Sequence, residues 1–155
     1  MSNAPRFFED HTIGETREFG SYRVSEEEII EFGTRYDPQP FHVDREAAAQ
    51  SPFRGLIASG WHTCAMMMRM VADFSMSRDS VMGSPGVDEI RWLKPVRPGD
   101  RLSIRQTVVS TERSKSKPDR GVVKTRTEVL NQDKEIVMHA TGMIIYRCRS
   151  TGSDP

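Results

Sequence analysis

Ser59-Gly60-Trp61-His62-Thr63-Cys64-Ala65-Met66-Met67-Met68-Arg69-Met70-Val71-Ala72-Asp73-Phe74 is the stretch whose reading decides the fold. Trp61, Cys64, Ala65, Met66, Met67, Met68, Met70 and Val71 cover most of a helical circumference, with Arg69 and Asp73 as the only charges. A helix that is apolar nearly all round belongs inside a protein. The run is interrupted by Arg69 and too short to span a bilayer, so it predicts a buried helix and no membrane partner. Its methionines read first as core packing, since Met fills irregular gaps. The alternative is that some of them line a tunnel for an apolar ligand chain.

Downstream of Pro85-Gly86 the pattern is β to the end of the chain. Val87 to Leu93 predicts one strand, closed by Pro95 and the turn Arg97-Pro98-Gly99-Asp100. Leu102, Ile104, Gln106 and Val108 mark the inward side of the next strand, and Val123, Thr125, Thr127 and Val129 alternate in a third. A polar hairpin loop from 114 to 121 joins the two. Asn131 to Lys134 turns into a long fourth strand from Glu135 to Arg147, apolar on both faces as a strand covered on both sides would be.

Upstream, residues 14 to 24 predict a strand of mixed polarity. Ser25 to Glu28 reads as a capping box, opening an amphipathic helix that carries Ile29, Phe32, Gly33 and Tyr36 and ends before Pro38. A short helical turn follows over 44 to 50, broken by Ser51-Pro52. One long helix and these strands assemble as an α+β domain, an antiparallel sheet of five to six strands wrapped around the helix. Its open edge is satisfied if two sheets pair into a dimer. The domain runs over 13–148, with a partly flexible segment at 1–12 and a flexible tail at 149–155.

Composition narrows the function. At 155 residues the chain can bury a core without disulfides or metal. Lys plus Arg equals Asp plus Glu, at 22 each, so there is no global field for nucleic acid. Cys64 and Cys148 form no CxxC pattern, and Arg6, Glu9 and Asp10 do not read as a signal peptide; a cytoplasmic protein is expected. The four histidines have no ligand spacing, so no metal site is expected.

One loop concentrates the chemistry. In Tyr36-Asp37-Pro38-Gln39-Pro40-Phe41-His42 a carboxylate and an imidazole lie five residues apart, on a segment that two prolines are expected to keep extended and non-helical. An acid and a base on one stiff loop can hold a water between them. The bland reading is that Asp37 satisfies turn amides and His42 is a half-buried structural residue. His62 and Cys64, two apart on the helix, face different sides, so they form no nucleophilic pair. Cys64 reads as a small core residue, and His62 as structural or alternatively as a contact for substrate or a partner subunit.

This segment and the downstream Gly55-Leu56-Ile57-Ala58-Ser59-Gly60 resemble the hydratase motif of the MaoC-like dehydratases, which include the (R)-specific enoyl-CoA hydratases of the hot-dog fold. The run from Arg91 to Asp100 is similar to the strand and turn that follow it, and the resemblance spans residues 12 to 147. It implies a hot-dog fold, a homodimer or an oligomer of dimers, and an acyl-CoA or acyl-carrier-protein thioester as substrate, with no cofactor beyond that carrier. It also implies water addition to a trans-2-enoyl double bond, or the reverse elimination. Asp37 and His42 match the catalytic pair, and Gly60 matches the glycine whose amide receives the thioester carbonyl. Gln39, Ser59 and Trp61 are the neighbouring oxyanion- and substrate-binding candidates. The family usually has Asn where Gln39 stands, and a serine of some members falls on Met68.

The chemistry accounts for these residue types. Hydration needs a base for water, a proton for the α-carbon and a donor for the enolate oxygen. Imidazole titrates near neutrality, and a helix N-terminal amide is a preorganised donor. Two rivals remain on the same scaffold: a thioesterase, which commonly puts a carboxylate on the central helix where this chain has none before Asp73, and a non-catalytic acyl-binding module. Arg69, Arg91, Lys94 and Arg97 read as a solvated basic face, or alternatively as contacts for a phosphorylated carrier.

Overall fold

The computed structural model describes residues 4–149; of the expected frayed ends, 1–3 and 150–155 lie outside the described residues. A 3-10 turn at Phe8–Asp10 precedes β1 (Thr16–Arg23), which leads into α1 (Glu26–Tyr36). Ser25 caps α1 by accepting from the Glu28 amide at 3.2 Å. The expected reciprocal half of the capping box is not made. The Glu28 carboxylate instead accepts from the Tyr22 hydroxyl on β1 and lies 3.5 Å from Nε2 of His62, so tertiary partners outcompete the local one.

Two short helices follow, α2 (Pro40–Val43) and α3 (Arg45–Gln50), the latter capped by Asp44. The central helix α4 runs over Gly60–Phe74 and opens from Ser59. The remaining strands are β2 (Val81–Gly83), β3 (Val87–Trp92), β4 (Arg101–Arg113), β5 (Arg120–Leu130) and β6 (Ile136–Arg147). They form one antiparallel sheet in the order β1-β4-β5-β6-β2, with β3 also on β6. β2 and β3 lie end to end along β6, Val81 opposite Tyr146 and Trp92 opposite Met138. β2 has no counterpart in the sequence reading, because three residues are too few to show alternation.

The inward positions of β4 and β5 alternate as expected: Leu102, Ile104, Gln106, Val108, Val123, Thr125, Thr127 and Val129 are all buried. β6 departs from the expected two-sided cover. A bulge skips Val137, since Val129 pairs with Met138 and Leu130 with Ile136. Val137 and Met138 are therefore both buried, at 1% and 0% exposure. Further along, only Ala140, Ile144 and Tyr146 are buried, while the alternate residues are partly open.

The sheet curls round α4, but the helix is covered on one side only. His62, Thr63, Met66, Met70 and Val71 are buried, whereas Trp61, Ala65, Met68 and Ala72 form an exposed apolar stripe. The methionines divide between the two readings. Met66 and Met70 sit in the core with Leu102, Ile104 and Val129. Met67 and Met68 line an apolar cavity of about 140 Å³ together with Val71, Val87 and Met143.

Candidate active site

α1 delivers the carboxylate. Asp37 is its C-terminal cap, the Asp37 amide donating to the Gly33 carbonyl at 2.9 Å. Gln39 is extended (φ −77°, ψ 146°), as the following proline requires. The expectation of a non-helical run fails at Pro40, which occupies the first position of α2. A proline fits there because that amide would lack a helical partner anyway and its fixed φ is already helical. α2 then packs directly on α1 at Gly33, where a Cβ would come within 3.0 Å of the His42 Cβ and the Val43 Cγ1. That close approach brings His42 back beside the end of α1.

His42 is 4% exposed, and its Nδ1 lies 2.7 Å from the Ile57 carbonyl. A carbonyl only accepts, so Nδ1 carries the hydrogen and the neutral ring presents Nε2 as a lone pair. Nε2 faces Oδ2 of Asp37 at 3.4 Å. Asp37 is itself fixed on both oxygens: the Ser59 hydroxyl donates to Oδ2 at 2.7 Å, and Nε2 of Gln39 donates to Oδ1 at 2.9 Å. The Ser59 bond, then the Gln39 bond and more weakly the His42 charge, hold the Asp37 carboxyl below the usual carboxylate range. When its ring is unprotonated, His42 and the Asp37 carboxylate present two acceptors to one point, an arrangement that a water with two hydrogens to donate satisfies.

The same Ser59 hydroxyl accepts from the Trp61 amide at 3.3 Å as the cap of α4. It therefore ties the carboxylate to the start of the helix. Gly60 is the first residue of α4, where amides have no intrahelical acceptor and the helix dipole is positive.

A cavity of about 420 Å³ brings these groups together: Asp37, Gln39, His42, Gly60 and Trp61 line it, along with Phe53, Thr63 and the run from Trp92 to Val96. Ser59 is 1% exposed and is not on the wall, reaching the cavity only through Asp37. Trp92 and Thr63 were not anticipated. Trp92 stood in the quoted run from Arg91 to Asp100, but nothing local says that the end of an edge strand folds over the start of α4.

The other titratable residues singled out in the sequence have partners of their own, and of them only Lys94 also lines this cavity. His62 is 2% exposed and stacks on Phe32 at 4.7 Å; burial pushes its pKa down. Burial raises that of the Cys64 thiol, so it is no ready nucleophile. Arg69 pairs with Asp73, Arg91 with Glu89 and Lys94 with Glu135, while Arg97 donates to the Phe53 carbonyl. Among the described residues no group of His, Cys, Asp and Glu side chains is placed to hold a metal, and no helix is long and apolar enough to cross a membrane.

Fold and site together define an α+β hot-dog domain with an imidazole–carboxylate pair at the N-terminus of its central helix. The chain matches the family model of the MaoC-like domain over residues 8–132, and it belongs to the MaoC-like dehydratase family. Among solved structures it is similar to a MaoC-like dehydratase from Rhodospirillum rubrum, 39% identical with a TM-score of 0.86, covering 93% of this chain and 98% of that one. It is 32% identical to the mesaconyl-CoA hydratase of Cereibacter sphaeroides across 98% of its own length, but spans only 44% of that protein. The 3-hydroxyacyl-thioester dehydratase Z of Mycobacterium tuberculosis is 29% identical, over 68% of this chain and 72% of that protein.

Proposed function

We propose that this protein is a hydratase, a carbon–oxygen lyase that adds water across the double bond of a trans-2-enoyl-CoA or enoyl-carrier thioester, or runs the reverse elimination. The observation that carries the reading is the convergence of the Nε2 lone pair of His42 and the Asp37 carboxylate, 3.4 Å apart, in one cavity with the Gly60 amide.

His42 takes a proton from a water held between the two groups, and the water oxygen bonds to the β-carbon. The C=C electron pair moves toward the carbonyl, whose enolate oxygen is received by the Gly60 amide. A single preorganised donor of this kind is worth roughly 3–4 kcal/mol in the transition state. The pair then returns the proton to the α-carbon, so the overall change is the addition of H and OH. Gln39 and Ser59 hold Asp37 in place, and Trp61 walls the cavity. No cofactor is needed beyond the thioester carrier. The relatives named for mesaconyl-CoA hydration and for 3-hydroxyacyl-thioester dehydration support this chemistry.

The test is loss of the enoyl absorbance of crotonyl-CoA and of longer enoyl-CoAs. Wild type should consume it, and Asp37→Asn and His42→Ala should each lower kcat by about 10²- to 10⁴-fold with unchanged circular dichroism. Activity that survives both substitutions sinks the site assignment. Release of free CoA identifies a thioesterase, and binding without turnover identifies a non-catalytic module.

A further inference from the structure

Gly60 has no room for a side chain, and the obstacle is a tryptophan. A Cβ on Gly60 would come to 2.4 Å from Cε2 of the Trp92 indole and 2.7 Å from its Cδ2 and Nε1. The indole lies against the first turn of α4 and its Nε1 donates to the Gly60 carbonyl at 2.9 Å. Trp61 meets it edge to face at 5.2 Å. Trp92 is the last residue of β3. The chain beyond it, through Leu93 and Pro95, lines the same cavity as Asp37 and His42.

We propose that Trp92 is a positioning residue of this site. Its indole holds Gly60 by the carbonyl of the Gly60–Trp61 peptide and by contact at Cα, so it limits how this residue, and with it the preceding Ser59–Gly60 amide, can move; Gly is required at 60 to admit the indole. The inference rests on the proposed function, since it concerns the amide that receives the enolate oxygen. Three features argue for it. The hydrogen bond goes to the residue that opens the helix, whose own amide has no intrahelical acceptor. The contact is made through ring and N–H together, so the orientation of the indole is fixed as well as its distance. Trp92 also bridges two elements that share no hydrogen-bond ladder, the edge strand β3 and helix α4.

Two measurements test it. In the first, Trp92→Phe keeps a ring over Gly60 and removes the N–H. Turnover of crotonyl-CoA should fall about two- to tenfold in kcat, the range of one neutral hydrogen bond, with KM and melting temperature little changed. A purely structural tryptophan would instead lower the melting temperature and leave kcat per folded molecule unchanged, and that result overturns the inference. The second is a thermal-melt cycle over Gly60→Ala, Trp92→Ala and the double variant. Gly60→Ala should depress the melting temperature strongly with Trp92 present and weakly in its absence, a non-additivity expected only if the indole is the obstacle. Equal depression in both backgrounds overturns it, and returns the need for glycine to close approach of the substrate. If wild type itself turns over no enoyl-CoA, the function proposal fails and the positioning role fails with it. Turnover in wild type with an unaltered Trp92→Phe variant removes the positioning role alone.

Discussion

A serine and a glutamine stabilise the charge of Asp37. The hydroxyl of Ser59 and the amide of Gln39 each donate to one of its oxygens, at 2.7 and 2.9 Å. Both bonds favour the ionised form and lower the pKa. A lowered pKa means that Asp37 stays ionised well into the acid range and is lost only as pH falls through that depressed value. Ser59→Ala removes the larger cause, so the acid limb of the pH–kcat profile attributable to Asp37 should move to higher pH, toward the ordinary carboxylate range. The same change removes the α4 cap, which costs about 1 kcal/mol of stability, so the melting temperature should drop as well. A profile that stays in place while the melting temperature falls would show that Ser59 serves the helix alone. Gln39, which stands where the family usually has Asn, is long enough to reach Oδ1 of Asp37 from an extended backbone.

At the scale of elements, α1 must be held against α4 for that geometry to exist, and His62 makes much of the contact. Phe32 stacks on its ring at an interplanar angle of 9°, and Glu28 faces its Nε2. Burial lowers the pKa of His62, so the native state resists protonation that the unfolded chain accepts. The unfolded state therefore binds more protons below about pH 6.5, and stability falls as pH drops from that value toward the depressed folded one. His11 is shifted down by burial too and adds a term of the same sign. Urea midpoints measured from pH 7.5 to 5.5 should decline in wild type and decline less steeply in His62→Leu, whatever the absolute stability of the variant. Identical slopes would show that His62 is not the group responsible. Glu28 illustrates why the capping box misled: a carboxylate three residues after a serine has a local partner in sequence, but Tyr22 and His62 reach it first in space.

Over the whole molecule, the apolar surface is unevenly covered. Trp61, Met68, Val87 and Leu93 are 59%, 43%, 54% and 52% exposed. They lie on the open side of α4, on the edge strand β3 and just beyond it. Exposed apolar surface of this extent beside an unpaired strand edge marks an association site, and we propose a homodimer formed through it. Sedimentation should give roughly twice the 17.6 kDa chain mass. A charge placed at the edge, Val87→Lys, should shift the balance toward monomer. Wild type that sediments as a monomer at micromolar concentration would rule the dimer out. Periodicity alone determined that the chain has one long apolar helix and a set of alternating strands. Side-chain alternation and helical spacing are local properties, and Leu102 to Val108 and Val123 to Val129 are buried where the pattern put them. The motif likewise marked Asp37, His42 and Gly60. Only the tertiary structure decided that α2 is helical and lies on Gly33, that Ser59 serves the carboxylate from inside the wall, and that Trp92 covers Gly60. Those contacts join residues 9 to 32 positions apart, and no local propensity encodes the closing of such loops.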